Sequence, residues 1–512
     1  MQDPLHPSPL NNPNWEWYQG NVRCQISCPL GTDARGYVVA ISEGRYWDAY
    51  RLARAKNPFA TACARVCAAP CEDDCTRTSR DGAVTIRALK RFVCELFGPE
   101  SDNDPRLSLA MSDARGTDTP TPNGNKVAII GGGPAGLTCA HDLARLGYKC
   151  SVFEKEGVAG GQLALIPEFR LPRTILQSEI DAVLHWGIGL HLGESIDINS
   201  APHNLLSRGY DAVVIATGLH IDTSQENSTW RFLDFVRRNG PTNVANRDVV
   251  VELTANDYPH GAASDAARTA LRMGAKSVQF TEPPEVLEYQ SLASLLHLAK
   301  QEGCGVLAAC ETGSEPIVMH AAQPVTPLVA HAPDSGVFTC GNLVIGARPF
   351  VYAIADGQRA AREVDQFITG VPLRRRTTQA ITPIPIELYT MPVHWDQYQR
   401  LDPPHSPVLS GSPFHPTELS YEKRLAQEQG ARCLRCHINP VFDEAQCNGC
   451  GDCVDICPED ALSLVREVGL PLDALALVVD ALRCTRCGLC AKICPEQAIT
   501  MQALEMVSEW IP

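Results

Sequence analysis

Hydrophobic and polar positions change their periodicity several times along the chain, and each change predicts a different kind of domain. The first part contains amphipathic helical patterns such as GRYWDAYRLARAKNP and VTIRALKRFVCELFG, and it ends in the polar stretch SDARGTDTPTPNGN. From Lys126 onwards, apolar strands alternate with helical segments: KVAIIGG, a helix to Leu146, KCSVFEK and later YDAVVIATG. This alternation is typical of a parallel sheet with crossover helices.

The boundaries between these patterns predict a multidomain protein. We expect an α-helical domain over residues 1–120, an α/β Rossmann-type domain over 121–219 and 336–372, a nucleotide-fold insert over 220–335, an extended linker over 373–430, and an α+β domain over 431–512. The linker is rich in Pro and His and has little periodicity. Its run Arg374, Arg375, Arg376 is interpreted as a solvated face, with docking against an acidic neighbour as the alternative.

The composition and charge of the chain argue against nucleic-acid binding and membrane insertion. The 512 residues are 44% hydrophobic, as in an ordinary globular protein, and the formal net charge is −15. Such a surface repels nucleic acid phosphates and anionic membranes. No stretch approaches the roughly 20 apolar residues of a membrane span, and the start MQDPLHPSPLNNPNWEWYQG lacks the regions of a signal peptide. We therefore expect a cytoplasmic protein with no membrane span and no nucleic acid partner.

The chain has 22 cysteines, too many for packing alone, and a reducing compartment disfavours disulfides. They form two groups, one from Cys24 to Cys94 and one from Cys433 to Cys494. The long middle of the chain holds five: Cys139, Cys150, Cys304, Cys310 and Cys340. The two groups predict metal sites at both ends of the chain, and the middle lacks the C-x-x-C of a redox disulfide.

The C-terminal cysteines form two identical runs, C-x2-C-x2-C-x3-C-P, as in bacterial two-cluster ferredoxins. In such runs the fourth cysteine ligates the other cluster. We therefore expect one 4Fe-4S cluster on Cys447, Cys450, Cys453 and Cys494, and another on Cys484, Cys487, Cys490 and Cys457. Zinc is the alternative, but it would leave the fourth cysteine of each run without a metal.

A dinucleotide-binding fingerprint follows the first predicted strand. Gly131, Gly133 and Gly136 form G-x-G-x-x-G, Pro134 and Ala135 open the helix, and Glu154 ends the next strand. The glycines allow a pyrophosphate to approach the helix N-terminus, and the carboxylate binds ribose hydroxyls. Strand, helix and acid stand in the order that this interpretation requires.

Several segments together resemble the FAD-binding core of the glutamate synthase small-subunit family. They are GGGPAGLTCAHDLARLGYKCSVFEK, GGQLALIPEFRLP, DAVVIATG, GVFTCGN and AIADGQRAA. NPFATACARVCAAPCEDDC resembles the cluster domain that this family shares with dihydropyrimidine dehydrogenase, so the resemblance covers roughly residues 20 to 370. It implies FAD at the first fold, with contacts from Gly161, Gln162, Arg170, Thr217, Gly341 and Asn342. Asn342 replaces the family's usual Asp; it can still bind a ribityl hydroxyl but carries no charge.

The N-terminal cysteines depart from this family's pattern. The family begins with a C-x-x-C just before the position of Cys24, and this chain has none there. The missing pair reappears as Cys433-x2-Cys436, although packing or a separate zinc site is an alternative for these thiols. The resemblance implies one cluster on Cys24, Cys75, Cys433 and Cys436.

The resemblance implies a second N-terminal cluster on Cys28, Cys67 and Cys71. Some relatives supply its fourth ligand from a Gln or Glu on the following helix, where this chain has Lys90, which cannot ligate while protonated. We choose Cys63 as the fourth ligand, with Cys94 as the alternative. The predicted total is four 4Fe-4S clusters.

The insert has the strand RDVVVEL and the helix SDAARTALRMGAKSVQF of a second dinucleotide fold, where the family binds NAD(P)H. The connecting loop TANDYPHGAA, however, holds only Gly261 and places Pro259 and His260 at the phosphate turn. Glu282 stands where NADPH-binding relatives carry arginines, and its carboxylate would repel a 2′-phosphate. We therefore interpret the insert as a scaffold rather than an NAD(P)H site, with NADH as the only plausible guest.

These features predict an oxidoreductase that carries FAD and iron-sulfur clusters. The favoured hypothesis is an electron-transfer subunit whose partners are the other subunits of a larger complex and an external carrier such as a soluble ferredoxin. A self-contained NAD(P)H:ferredoxin oxidoreductase is the alternative. A scaffold with vestigial cofactors is disfavoured by the intact ferredoxin runs.

Overall fold

The computed structural model describes most of the chain. The described residues are 15–98, 101, 120–198, 200–221, 228–240, 244–253, 261–281, 290–306, 316–321, 324–325, 333–372, 374–391, 396–406, 416–466 and 475–511. Within these ranges, no helix combines the length and apolar character needed to cross a membrane.

The N-terminal domain consists of short helices. Those in the described part are α1 (Trp15–Asn21), α2 (Arg23–Ile26), α3 (Ala34–Ser42), α4 (Tyr46–Arg54), α5 (Ala60–Val66), α6 (Pro70–Asp73), α7 (Thr78–Asp81) and α8 (Ile86–Phe97). Their apolar faces pack around Tyr37, Tyr50 and Phe92. The carboxylate of Asp33 caps α3 by accepting a hydrogen bond from the Gly36 N–H at 2.8 Å, which satisfies one free donor of that helix end.

The second domain is a parallel sheet covered by helices, as the alternating pattern predicts. Its strands lie in the order β11, β4, β1, β2, β3. They are β1 (Lys126–Ile130), β2 (Lys149–Glu154), β3 (Gly189–Leu192), β4 (Ala212–Ile215) and β11 (Val337–Thr339), and the helices are α9 (Pro134–Arg145), α10 (Arg173–Leu184), α11 (Ala201–Ser207), α15 (Asn342–Ile345) and α16 (Phe350–Thr369). The central strand β1 places Val127 beside Cys150 and Ala212.

The insert forms a second parallel sheet, in the order β8, β7, β6, β9. Its elements are α12 (Thr229–Asn239), β6 (Asp248–Val251), α13 (Ala262–Arg272), β7 (Ser277–Phe280), α14 (Gln290–Gln301), β8 (Gly305–Val306) and β9 (Ile317–Met319). A small antiparallel pair of β5 (His220–Ile221) and β10 (Pro324–Val325) lies where the chain enters and leaves the insert. The predicted strand RDVVVEL contains β6. The predicted helix SDAARTALRMGAKSVQF covers most of α13, but its last four residues form the strand β7.

The C-terminal region combines two small sheets with three short helices. It contains β12 (Arg374–Ile384), α17 (Lys423–Ala431), β13 (Ile438–Phe442), α18 (Asp452–Asp455), β14 (Leu462–Arg466), β15 (Leu475–Val479), α19 (Leu489–Ile493) and β16 (Ile499–Ile511). The predicted fold class, with a helical domain, a Rossmann-type domain carrying an insert and a ferredoxin-like domain, is confirmed.

The segment 373–430 is more ordered than the linker that the sequence predicts. Its first part, β12, pairs with β16 along eleven consecutive positions, and its last part forms α17. The described side chains of β12 are mostly exposed, so the strand has no apolar alternation that could reveal it. Its hydrogen-bond partner also lies more than one hundred residues away in sequence.

Helix α17 packs against α3 of the N-terminal domain. Gly430 makes this approach possible, because a Cβ there would come within 2.9 Å of the Val38 carbonyl oxygen and 3.1 Å of the Ser42 nitrogen. Ala426 and Tyr421 join the core of the helical domain. The chain leading into the ferredoxin runs is therefore attached to the N-terminal domain.

The helical domain and the Rossmann-type domain are joined by a buried ion pair. Arg54 on α4 contacts Glu179 on α10, and their side chains are 1% and 0% exposed. The second carboxylate oxygen of Glu179 accepts hydrogen bonds from the Thr61 and Ala62 N–H groups at 3.1 and 3.3 Å. The carboxylate thus satisfies both a buried guanidinium and the free N–H groups at the start of α5.

Replacing Glu179 by Ala should destabilise this junction. The substitution leaves the Arg54 charge and two backbone donors buried without a partner, a loss of about 3–5 kcal/mol for comparable buried pairs. We expect a lower urea midpoint for the unfolding transition of the full chain. Asp181→Asn, on the exposed face of the same helix, is the matched control, and equal midpoints for the two variants would contradict the prediction.

Candidate cofactor-binding sites

A pocket lies at the carboxyl ends of β1, β2 and β4, where ligands bind in open α/β sheets. Most of the residues predicted to bind FAD line it: Gly131, Gly133, Pro134, Ala135, Glu154, Gly161, Gln162, Thr217, Gly341 and Asn342. The insert contributes Trp230, Asp234 and Arg237 from α12, which the sequence did not reveal. The pocket therefore lies between the first sheet and the insert.

The three glycines of the fingerprint are needed for different structural reasons. Gly131 has φ 115°, and Gly136 lies so close to the Gly131 carbonyl oxygen that no Cβ would fit. Gly136 therefore supports the turn from behind rather than lining the pocket. At Gly133 the backbone is extended, and a Cβ would meet only the Gly161 Cα at 3.8 Å. Gly133 thus keeps space free for a ligand at the start of α9, where N–H groups attract a pyrophosphate.

Glu154 is held in position before any ligand binds. Its two carboxylate oxygens accept hydrogen bonds from the Gly132 N–H at 2.8 Å and the Glu156 N–H at 2.9 Å. The side chain is buried and lines the pocket at the end of β2. This placement suits a carboxylate that binds ribose hydroxyls.

Two buried polar atoms at the pocket have no protein partner. They are the Thr217 Oγ1 and the Asn342 Oδ1, whereas the Asn342 Nδ2 donates to the Arg348 carbonyl at 3.1 Å. Buried polar atoms normally form hydrogen bonds, so these two mark where a polar ligand belongs. Together with the glycine cradle and Glu154, they fit FAD.

Asp356 is a residue that the sequence analysis missed. Its carboxylate accepts a hydrogen bond from the Gly341 N–H at 2.7 Å and pairs with Arg359. It thereby holds the Gly341 turn, which has φ 77° and lies against Ala135. The sequence offered one signal for Asp356: it lies in the segment AIADGQRAA, which is part of the family resemblance.

The structure does not bring Arg170 to this pocket. Its guanidinium forms a buried ion pair with Asp265 on α13 of the insert at 2.6 Å. The loop that carries Arg170 also places Phe169 beneath Arg268 and Arg272 of the same helix. The contacts seen for Arg170 therefore join the two nucleotide folds and do not involve the predicted cofactor pocket.

Four thiols from distant parts of the chain meet beside α3. Cys24, Cys75, Cys433 and Cys436 line one small cavity. Burial raises the pKa of the Cys24 thiol, and the three other thiols raise it further. The approach of α17 to α3 brings Cys433 and Cys436 there. The structure thus groups the four residues predicted for the first N-terminal cluster.

A second thiol group surrounds Lys90. Burial and the neighbouring Cys28 raise the pKa of Cys71, and a hydrogen bond from Cys63 lowers the pKa of Cys67 to about 7. Lys90 interacts electrostatically with all four of these thiols. Cys94, the alternative ligand, is fully buried in the core of the helical domain and faces Arg54. Cys63 thus packs with Cys28 and Cys67, and its role as the fourth ligand stays a prediction.

The ferredoxin cysteines are grouped in the crossed pattern that their spacing predicts. Cys457 lines one pocket with Cys484, Cys487 and Cys490. Burial raises the pKa of the Cys453 thiol, and the neighbouring thiols of Cys447, Cys450 and Cys494 raise it further. Cys453 and Cys490 are buried, whereas Cys450 is exposed.

Backbone N–H groups point at several of these sulfur atoms. Gly449, Ala461, Arg486 and Ala498 donate to Cys447, Cys457, Cys484 and Cys494 at 3.3 to 3.4 Å. Such hydrogen bonds stabilise thiolates and tune iron-sulfur clusters. Among the described residues, no group of three His, Cys, Asp or Glu side chains has the arrangement of a single-ion metal site. The four-thiol sets with N–H donors fit 4Fe-4S clusters.

The phosphate loop predicted for the insert lies largely outside the described residues. Residues 254–260, which include Pro259 and His260, lie outside the described ranges, and so do Glu282 and Cys310. The described part begins at Gly261, which has φ 84° directly before α13. The absence of an NAD(P)H site in the insert therefore stays a prediction.

Three sequence families match parts of the chain. The family "dihydropyrimidine dehydrogenase domain II, 4Fe-4S cluster" matches residues 18–101, "NAD(P)-binding Rossmann-like domain" matches 129–178, and "4Fe-4S dicluster domain" matches 446–498. The chain therefore carries two 4Fe-4S domains and an FAD/NAD(P)-binding Rossmann domain between them.

Curated relatives extend the match. The chain is 29% identical to the NADP(+)-dependent formate dehydrogenase subunit beta of Moorella thermoacetica, over 83% of the chain and 72% of the relative. It is 34% identical to the NADPH-Fe(3+) oxidoreductase subunit beta of Geobacter sulfurreducens, over 49% and 37%. It is 26% identical to the NAD-dependent dihydropyrimidine dehydrogenase subunit PreT of Escherichia coli, over 68% and 91%.

The chain is homologous to subunits of oxidoreductases. The predicted resemblance is thereby confirmed, since the cluster domain of the dihydropyrimidine dehydrogenase type and the Rossmann domain occur together. The chain spans little more than a third of the Geobacter relative, so the whole activity of that relative does not transfer.

Replacing Gly133 by Val should abolish FAD binding without unfolding the domain. The backbone there has φ −80°, which any residue adopts, and a Cβ meets no protein atom closer than 3.8 Å. The added side chain would instead occupy the space for the pyrophosphate. Flavin released from purified protein measures the effect, and circular dichroism monitors the fold. Stoichiometric flavin in this variant would show that the fingerprint is misassigned.

The double variant Cys433→Ser and Cys436→Ser should lose one cluster. Because each 4Fe-4S cluster holds four irons, anaerobically prepared protein should fall from about sixteen to about twelve irons per chain. Cys304→Ser, a buried cysteine of the insert, is the control and should keep the full count. If the double variant also keeps its iron, these two thiols belong to no cluster.

Proposed function

We propose that this chain is an electron-transfer subunit that passes electrons between FAD and an external partner through four 4Fe-4S clusters. The observation that supports the proposal is that contacts link the dinucleotide pocket to the first thiol group and the helical domain to the ferredoxin domain, where Cys450 is exposed. FAD exchanges electrons singly or in pairs and each cluster exchanges one, so such a series links two-electron and one-electron carriers.

The first step runs from the FAD pocket to the thiol group around Lys90. Helix α16 lines the pocket with Phe350 and Ala353, and Tyr352 of the same helix interacts electrostatically with Cys67 and Cys28. One continuous apolar core includes Ala135 and Val351 of the Rossmann-type domain and Cys63 of the helical domain. This packing supports the interpretation that the FAD pocket and the thiol group around Lys90 lie close together.

The second step runs between the two N-terminal thiol groups. Two very short helices lie at this junction: α2 contains Cys24 and ends two residues before Cys28, and α6 contains Cys71 and ends two residues before Cys75. Each of these two segments therefore carries one cysteine of each group, four residues apart. This spacing supports close proximity of the two sites.

The third step enters the ferredoxin domain. Arg80, just after the N-terminal thiols, forms an ion pair with Glu459 at 3.0 Å and donates to the Arg483 carbonyl beside Cys484. On the other side, Cys436 leads directly into β13 of the ferredoxin domain. The thiol group of Cys484 thus faces the N-terminal domain.

The remaining thiol group lies at the surface and is the proposed exit. Cys450 is exposed, and Ile456 and Ile493 beside the same group are 40% and 44% exposed. Residues 443–460 contain six carboxylates, of which Glu459 pairs with Arg80, and no Lys or Arg. This surface suits a partner subunit or carrier protein with a basic rim around its own redox site.

The relatives favour a role within a complex, because two are named as beta subunits and one as a dehydrogenase subunit. Their names also favour the second candidate, a pyridine nucleotide:acceptor oxidoreductase. One observation favours that candidate: the described part of the insert forms a four-stranded parallel sheet, with Gly261 in the left-handed conformation at the start of α13.

Electron entry distinguishes the two candidates. Under the favoured one, a reduced bacterial ferredoxin should bleach the flavin band of the anaerobic full chain, whereas NADH and NADPH should not.

A variant tests the proposed exit. Cys453→Ser, which removes a ligand of the exit cluster, should slow this bleaching at least tenfold, and Cys304→Ser should not. Rapid bleaching by NADH would promote the second candidate, and an unchanged rate in Cys453→Ser would refute the proposed exit.

A further inference from the structure

Lys90 is a buried cation among thiols. It lies on α8 and is 9% exposed. Its electrostatic neighbours are Cys63, Cys28, Cys67 and Cys71. None of the ion pairs formed between described residues includes Lys90, although Arg87 and Arg91 on the same helix each pair with a carboxylate.

The immediate surroundings offer little compensation for this charge. The Lys90 Nζ lies 5.5 Å from the centre of the Tyr37 ring, and the Tyr37 hydroxyl donates instead to the Ile86 carbonyl. An ammonium group buried without a counter-charge is strongly destabilising. The site therefore calls for a negative group, and the four thiols around Lys90 are where such a group would be held.

We propose that Lys90 is the counter-charge of an all-cysteinyl 4Fe-4S cluster held by Cys28, Cys63, Cys67 and Cys71, and that it raises the midpoint potential of that cluster. A cluster with four thiolate ligands is negative, and reduction adds a further negative charge. A fixed cation nearby stabilises the reduced form more than the oxidised form. Lys90 is thus a tuning residue and not a ligand.

This inference deepens the proposed function and rests on its cluster assignment. The Lys90 site is the thiol group nearest to the FAD pocket, next to Tyr352. A cluster that is easier to reduce at this position holds an electron beside the flavin. Lys90 would therefore set which end of the series is reduced first.

The test is a redox titration of the anaerobic full chain, followed by electron paramagnetic resonance of each cluster. Lys90→Met removes the charge at similar length, and we expect one midpoint to shift to a more negative potential while three stay unchanged and the iron count stays the same. Lys90→Arg keeps the charge and should stay close to wild type. Lys56→Met, on the exposed surface of the same domain, should shift none.

An unchanged set of potentials in Lys90→Met, or the loss of about four irons from it, would overturn the inference. Cys63→Ala and Cys94→Ala test the ligand set: the first should lose one cluster signal and the second should keep all four. The reverse result would also overturn it. A chain that keeps this cluster but fails to accept electrons from reduced ferredoxin would refute the proposed function and leave the role of Lys90 intact.

Discussion

The packing of α17 against α3 is the contact on which the arrangement of this protein depends. Gly430 lets the two backbones approach, and the chain then delivers Cys433 and Cys436 beside Cys24 and Cys75. Without this contact, Cys433 and Cys436 would lose their place beside Cys24 and Cys75, although the ion pair of Arg80 with Glu459 would still join the ferredoxin domain to the helical domain. With it, the two metal-rich ends of the sequence become neighbours.

Buried arginines reinforce the loops that carry the thiols. Arg432 is completely buried and donates to the carbonyls of Ala83, Gly82 and Asp81, and Arg486 donates to the carbonyls of Cys484 and Ala481. Loops around clusters have few regular hydrogen bonds, so their carbonyls need other donors. A guanidinium supplies five N–H groups in one rigid plane, which explains why an acidic protein buries so many arginines.

At the FAD pocket, polar side chains that have hydrogen-bond partners in the protein differ in role from those that have none. Glu154 accepts hydrogen bonds from two backbone N–H groups, and Asp356 accepts one from Gly341 and pairs with Arg359; both shape the pocket. Thr217 and Asn342 each leave a buried oxygen without a partner. The first pair builds the cradle, and the second pair is available to a ligand. Lys90 presents the corresponding case for charge, since the strongest electrostatic neighbours of its buried ammonium are four thiols.

The sequence by itself determined the features whose chemistry is local. Strand, glycine turn, helix and Glu154 lie within thirty residues of each other, and each ferredoxin run carries its four cysteines within one short segment. Spacing alone therefore predicts fold and cofactor class. Only the tertiary structure decided that Cys63 lies beside Cys67 and Lys90 and that Arg170 pairs with Asp265. It also decided that β12 pairs with β16. These outcomes depend on which helix faces and strand edges meet across long stretches of chain, and local periodicity carries no record of such contacts.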